Sequence, residues 1–257
     1  MKRRDDLLTH LSLFTGIGGL DLSAEMAGFQ TVGQCEYAPY PTRVLERHWP
    51  DVSRWKDVRE LTAKSFYERT GYKTVTVLSG GFPCQPHSLA GKRLASLDER
   101  DLWPEYRRVI GEITPRWVVA ENVRGLLSSE SGGFFRGILR DLSELGYRIG
   151  WCTYPAAWIG TVHRRERVFT VAHAAGVGLE ISDALQSRLA AAIQRTSGQY
   201  DRSAATMGIQ QFGDCGDIRA RDVVPHWMDR IKAVGNAVAP LQALPIFEAI
   251  AAIEYSA

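Results

Sequence analysis

Long apolar runs are missing from the 257-residue chain. None approaches the roughly eighteen consecutive apolar residues of a membrane-spanning helix, so a transmembrane class is excluded. Cysteine is scarce. The four residues Cys35, Cys84, Cys152 and Cys215 are far apart and form no C-x-x-C pair, which argues against both a zinc site and a disulfide framework. Neither sign of charge prevails: 31 basic and 29 acidic residues leave a net +2, which neither demands nor excludes an anionic partner. The charged start, Met1-Lys2-Arg3-Arg4-Asp5-Asp6, leads into no signal-type apolar segment with a small-residue cleavage site, so a cytoplasmic location is expected. Internal repeats and heptads are lacking as well. What the chain does have is 45% hydrophobic residues, enough for one large α/β domain with a small appendage.

Short β-rich runs at 7–13, 29–34, 75–78, 117–120 and 168–172 read as strands, with a further strand region at 147–159 interrupted at Pro155. Between them, helical periodicity marks 20–27, 38–48, 103–113 and 132–145, and an apolar helix opened by Gly235-Asn236-Ala237-Val238-Ala239-Pro240 closes the chain. Strands alternating with helices predict a doubly wound, mostly parallel sheet. From 174 to 233 the composition shifts to Gly, Ala, Gln, Ser and Asp, and this stretch reads as a small, loosely built second unit.

Several strand ends carry chemistry. After the first strand, Phe14-Thr15-Gly16-Ile17-Gly18-Gly19 forms a glycine-rich turn into a helix. Such a turn lets a ligand approach the backbone and meet helix N-terminal N–H groups, or is simply a tight connection. Its G-x-G-G spacing differs from the dinucleotide G-x-G-x-x-G, so an amino acid moiety is as plausible a guest as a pyrophosphate. Glu36, followed by Tyr37, ends the second strand, where a carboxylate accepts from ribose hydroxyls and an aromatic stacks on adenine. Equally, Glu36 caps the helix beginning near Ala38. Asp57 either binds an adenine amino group or opens a helix at Arg59. Gly80-Gly81-Phe82-Pro83-Cys84-Gln85-Pro86-His87-Ser88 is a stiff turn with a cysteine in its middle, a nucleophile candidate or a small buried apolar residue. Glu121-Asn122-Val123 ends a buried strand on the same sheet edge, and Arg164-Arg165-Glu166-Arg167 offers cations for an anion or a base, or is surface charge flanking an edge strand.

In this order, the segments 14–19, Glu36, Asp57, 81–85, 121–123, 165–167 and 235–238 closely resemble those of the cytosine-C5 DNA methyltransferases. The resemblance spans 11–172 and 234–250. It implies a Rossmann-like catalytic domain over 1–173 and 234–257, and a target-recognition region over 174–233. It implies S-adenosyl-L-methionine bound by Phe14, Thr15, Gly16, Ile17, Gly18, Gly19, Glu36, Tyr37, Asp57, Val58, Leu102, Asn236 and Ala237. Cys84 would add to cytosine C6, Glu121 would donate a proton to N3 and Arg165 would hold O2, with Arg167 in the same catalytic set. Phe82, Pro83, Gln85, Ser88 and Asn122 would contact the substrate. The products would be 5-methylcytosine and S-adenosylhomocysteine. No metal is implied. The target atom is inaccessible in a duplex, so the base must flip out under a closing 85–101 loop.

Three departures accompany the resemblance. His163 stands where the family often has Gln, and His87 where it often has Phe. The region 174–233 is much shorter than usual, and its arginines Arg188, Arg195, Arg202, Arg219 and Arg221 show no readable base code. The partner expected is double-stranded DNA, met by a monomer of a prokaryotic or phage system, with a cognate restriction endonuclease as a further partner. An RNA-directed methyltransferase and a catalytically weak DNA-binding remnant are the alternatives.

Overall fold

The computed structural model describes residues 7–83, 102–156, 165–174, 187, 190–191 and 238–256. Among these, seven strands form one sheet in the order β3-β2-β1-β4-β5-β7-β6. They are β1 (Thr9–Leu13), β2 (Gln30–Cys35), β3 (Ser53–Trp55), β4 (Val77–Gly80), β5 (Trp117–Val123), β6 (Tyr147–Pro155) and β7 (Glu166–Ala174). β1 to β5 run parallel, and β7 is antiparallel to both β5 and β6. The helices are α1 (Gly19–Met26), α2 (Pro39–His48), α3 (Ala63–Thr70), α4 (Trp103–Ile113), α5 (Gly133–Glu144) and α6 (Pro240–Glu254).

Side chains alternate across a strand, and the central strands bury both sides. On one face Leu78, Val118, Ala120, Val168 and Ala172 join Phe66 of α3, Tyr106, Val109 and Ile110 of α4, and Ile138 and Leu142 of α5. On the other, Val77, Trp117, Val119, Phe169 and Val171 join Leu20 and Ala24 of α1 and Ile246, Phe247 and Ile250 of α6. A sheet covered on both faces is the doubly wound architecture expected from the strand–helix alternation. The stripe anticipated for α4, at 103, 106, 109, 110 and 113, is fully buried.

Some boundaries move. The helix expected at Arg59 is a single 3-10 turn, Val58–Glu60, and the α-helix waits for Thr62, whose hydroxyl accepts from Ser65 N–H in a capping box. The fourth strand continues through Gly80 because a side chain there would lie 2.8 Å from the Leu13 carbonyl and 3.3 Å from Tyr106. Gly80 is the last residue of the strand, and the approach of the Leu13 carbonyl leaves room there only for glycine. The terminal helix begins at Pro240, the last residue of the segment expected to open it, with the proline in its first turn, where its missing N–H has no helical partner to lose.

In a parallel sheet the carboxyl ends of the strands share one edge, and ligands bind there. That edge carries the turn after Leu13, then Glu36, Asp57, Gly81 and Glu121. Because β7 runs the other way, it brings its amino end to the same edge, with Arg167 opposite Val123 and Asn122 opposite Val168.

Candidate active site

Phe14 has a left-handed backbone, φ 51°, a conformation a bulky side chain adopts only under constraint and one that concentrates at functional sites. Its ring packs edge-on to Tyr106 at 5.9 Å, and Tyr106 also meets Phe82 at 6.0 Å. One aromatic of α4 thus joins the glycine turn to the segment that leads into Cys84. Within the turn, Thr15 is buried, and its hydroxyl donates to the carbonyls of Ser12 and Cys35. Gly16 and Gly18 have φ of 58° and 89°. A Cβ on Gly18 would sit 2.5 Å from the Trp49 ring, and one on Gly19 would sit 2.2 Å from the Val238 carbonyl oxygen. Ile17 lies half-buried between them.

Glu36 is already engaged. Its carboxylate accepts from Gly16 N–H and from Ala38 N–H, both at 2.7 Å, so it ties the residue before α2 to the glycine turn, while α2 itself has no side-chain cap. A carboxylate has about four lone-pair sites, which leaves capacity for ligand hydroxyls. Tyr37 beside it is 68% exposed, a free ring face for stacking, with Lys56 Nζ 5.8 Å from its centroid. A cavity of about 470 Å³ adjoins these residues, lined among others by Glu36, Tyr37, Arg43, Arg54 and Lys56. Asp57 caps the 3-10 turn by accepting from Arg59 N–H at 2.9 Å, while Val58 is buried. Leu102 is the residue before α4 and packs on the core.

Further along the edge, Glu121 is 6% exposed. Burial pushes its carboxyl up to about 7, against the opposing pull of Arg167 and Arg165. Arg167 Nε lies 2.6 Å from Glu121 Oε1. The pair is diagonal across β5 and β7, since Arg167 stands opposite Val123 two residues on. Glu121 therefore changes protonation near neutrality, as a proton donor or acceptor should. A Cβ on Gly81 would lie 2.8 Å from Glu121 Oε2; this glycine lets the backbone at 81 pass directly over the carboxyl. Asn122 is buried and turned away from solvent: its Nδ2 donates to the Phe82 carbonyl at 3.0 Å. It thereby anchors the backbone two residues before Cys84. Phe82 is buried against Trp103 at 5.3 Å, and Pro83 is exposed. Arg165 is half-buried, its guanidinium pKa lowered by burial and by Arg167.

Cys84, Gln85, Ser88, Asn236 and Ala237 lie outside the described residues, as do His87, His163 and the 85–101 loop; of 174–233, only 174, 187, 190 and 191 are described. Val238, next to Ala237, is pressed against Gly19. Of the other thiols, Cys35 and Cys152 are both pushed up to about 12 by burial, which makes them poor nucleophiles. Among the described residues no cluster of His, Cys, Asp and Glu could hold a metal, and no helix is long and apolar enough to cross a membrane.

Three features escaped sequence reading. Arg167 is the direct partner of Glu121. Asp21, which sits where an acidic residue would serve the start of a helix, is fully buried beneath the glycine turn, accepting from Ser12 Oγ at 3.0 Å and Gln34 Nε2 at 2.9 Å. Burial raises its carboxyl to about 7. Gln242, in the apolar α6, is fully buried too. Neither buried position carries a local signal, because both face partners remote in sequence.

The model of the C-5 cytosine-specific DNA methylase family matches residues 8–214. Type II methyltransferase M.NgoMIV of Neisseria gonorrhoeae is 38% identical over 165 residues, 64% of this chain and 51% of that protein. M.AquIA of Picosynechococcus is 32% identical over 178 residues, 65% of this chain and 72% of that one. The chain thus spans about half the length of the first of these relatives. Among solved structures, an E. coli prophage-encoded protein described as a DNA modification methyltransferase superposes with a TM-score of 0.57 at 25% identity, over 68% of this chain and 50% of its own. The S. pombe Dnmt2 methyltransferase shares the fold, with a TM-score of 0.54 at 22% identity, over 70% of this chain and 55% of its own. On the match over 8–214, the chain belongs to the C-5 cytosine-specific DNA methylase family.

Proposed function

We propose that the protein transfers a methyl group from S-adenosylmethionine to C5 of a flipped-out cytosine in duplex DNA. The observation that carries this reading is the buried Glu121, paired with Arg167 and lying directly under Gly81 at the root of the Cys84 segment.

The residues at the first two strand ends fit the cofactor. Gly18 and Gly19 pack too closely against Trp49 and Val238 to carry a side chain, and the turn they fix opens α1, whose first N–H groups suit an amino acid moiety. Glu36 keeps lone pairs for ribose hydroxyls, the open ring of Tyr37 suits adenine, and Asp57 with Val58 borders that ring. When bound, S-adenosylmethionine supplies an electrophilic methyl group. Asn236 and Ala237 complete this side, next to the Val238–Gly19 contact.

On the base side, Cys84 thiolate adds to C6, and the ring electrons are pushed toward C5, which becomes nucleophilic. Charge placed on the ring at N3 is neutralised by a proton from Glu121, and Arg165 stabilises charge at O2. Arg167 holds the Glu121 carboxyl in place while burial keeps its proton available near neutral pH. Methyl transfer leaves S-adenosylhomocysteine and N3 returns its proton to Glu121; a base then removes the C5 proton, the C6–S bond breaks, and Cys84 leaves as thiolate. Asn122 supports this set by fixing the Phe82 carbonyl, and Phe82, Pro83, Gln85 and Ser88 shape the pocket around the base.

Catalysis is assigned to 1–173 with 234–257 and target choice to 174–233. The relatives' description as type II methyltransferases favours DNA and a restriction-modification setting. Tritiated methyl transfer from S-adenosylmethionine to unmethylated duplex DNA and, separately, to tRNA tests the reading. Label in DNA is expected; label confined to tRNA overturns the DNA assignment.

A further inference from the structure

The first turn of α6 touches both halves of the edge. The Val238 carbonyl lies against Gly19, and the Pro240 carbonyl accepts from Ser23 Oγ at 2.7 Å. Two residues on, Gln242 turns to the other half. Its Nε2 donates to the Tyr154 carbonyl at 2.9 Å and to the Arg165 carbonyl at 3.0 Å. The Tyr154 hydroxyl donates in return to the Gln242 carbonyl, and Ala156 N–H donates to the Arg165 carbonyl at 3.1 Å. Gln242 therefore clasps the end of the β6–β7 pair at the last registered residues, where Pro155 stands opposite Glu166.

The amide can face only one way. Turned over, its oxygen would confront two carbonyl oxygens. In the observed orientation Oε1 is buried without a hydrogen-bond partner among the described residues, an unfavourable state that an apolar residue at this position would avoid. Its neighbours Ala243, Ile246 and Phe247 are apolar and fully buried. A glutamine in this core adds nothing to packing that a methionine of similar shape would not, so the two donated bonds are its distinguishing contribution.

We propose that Gln242 is a positioning residue for Arg165. It fixes the backbone from which the guanidinium meets the pyrimidine O2, and through residues 238–242 it references that aim to the cofactor-side turn. The proposal rests on the role given to Arg165 above.

The test uses the full chain, with tritiated methyl transfer to unmethylated duplex genomic DNA. Gln242→Met, Arg165→Lys and the double variant are compared with the parent for kcat, KM for DNA, thermal midpoint and calorimetric affinity for S-adenosylmethionine. A misdirected catalytic group costs one to two orders of magnitude. Q242M is therefore expected to lower kcat about tenfold or more, leaving cofactor affinity within about twofold, and to cost less than about twofold when Arg165 is already lysine. Equal losses in both backgrounds, or a kcat within about twofold of the parent, overturn the proposal. If Q242M does not fold, Tyr154→Phe, which removes only the hydroxyl bonded to Gln242, is read by the same non-additivity with R165K. A parent protein that methylates no DNA overturns the reading of the site and this role together, an outcome distinct from an active parent with an unaffected variant.

Discussion

Glu121 is under two opposed influences: burial favours its neutral form, and Arg167 at 2.6 Å favours the anion. Burial prevails, and the carboxyl titrates at about 7. A step that needs its proton is therefore available below that pH and is lost as pH rises through it. Glu121→Gln should lower turnover by about 10² or more and remove that alkaline limb from a pH–rate profile; an unchanged limb would assign the titration elsewhere. Asp21 bears on stability instead. Its carboxyl rises from 3.8 to about 7 on burial, so between those values the folded state binds more protons than the unfolded one. Stability then falls as pH climbs through this window and stays reduced above it. Asp21→Asn should flatten that dependence in denaturant melts at pH 5 and pH 8. The contrast between the two acids shows what sequence can reveal. Glu121 was legible because it ends an apolar strand in company with Asn122. Asp21 was not, because a helix's first turn is where acids ordinarily sit exposed. At Asp57 the helix-opening reading holds, since its carboxylate caps the 3-10 turn, whereas Glu36 bonds the N–H of Ala38 and Gly16 without capping α2.

Among the elements, the glycine turn and α6 are the most constrained. Gly19→Ala would drive a methyl group to 2.2 Å from the Val238 carbonyl. Overpacking of this kind costs about 1–3 kcal/mol, and here the strain falls on the contact that seats α6. A lowered thermal midpoint and weakened S-adenosylmethionine binding are both expected, measured by melting and calorimetry. Asn122→Ala removes the bond to the Phe82 carbonyl. It should lower turnover while leaving cofactor affinity unchanged, because the cofactor turn lies two strands away. Strands and amphipathic helices were readable from periodicity, as the buried stripe of α4 illustrates. Element ends were less so. Gly80 looks like a terminator in isolation, and only the approach of the Leu13 carbonyl and Tyr106 shows why a strand must carry glycine there. The 3-10 turn at Val58–Glu60 likewise depends on Asp57 accepting from Arg59, a local bond that competes with helix.

For the whole molecule, topology does the assembling. Five parallel strands bring the carboxyl ends of β1, β2, β4 and β5 to one edge, and the reversed β7 adds its amino end to it. Glu121 and Arg167, on strands separated in sequence by a helix and a further strand, thus become an ion pair. The order of the segments along the chain was enough to suggest the family, because each segment sits at a strand end that this topology must bring together. The partnership of Arg167 with Glu121 required the antiparallel register, which no local pattern encodes. The central claim is that Cys84 attacks a cytosine beside Glu121, and covalent trapping tests it most directly. Duplex DNA containing 5-fluorocytosine, which has no removable C5 proton, should form a denaturation-resistant adduct with the protein in the presence of S-adenosylmethionine, and Cys84→Ser should abolish it. No adduct with the parent protein, or an adduct that survives C84S, would contradict the account.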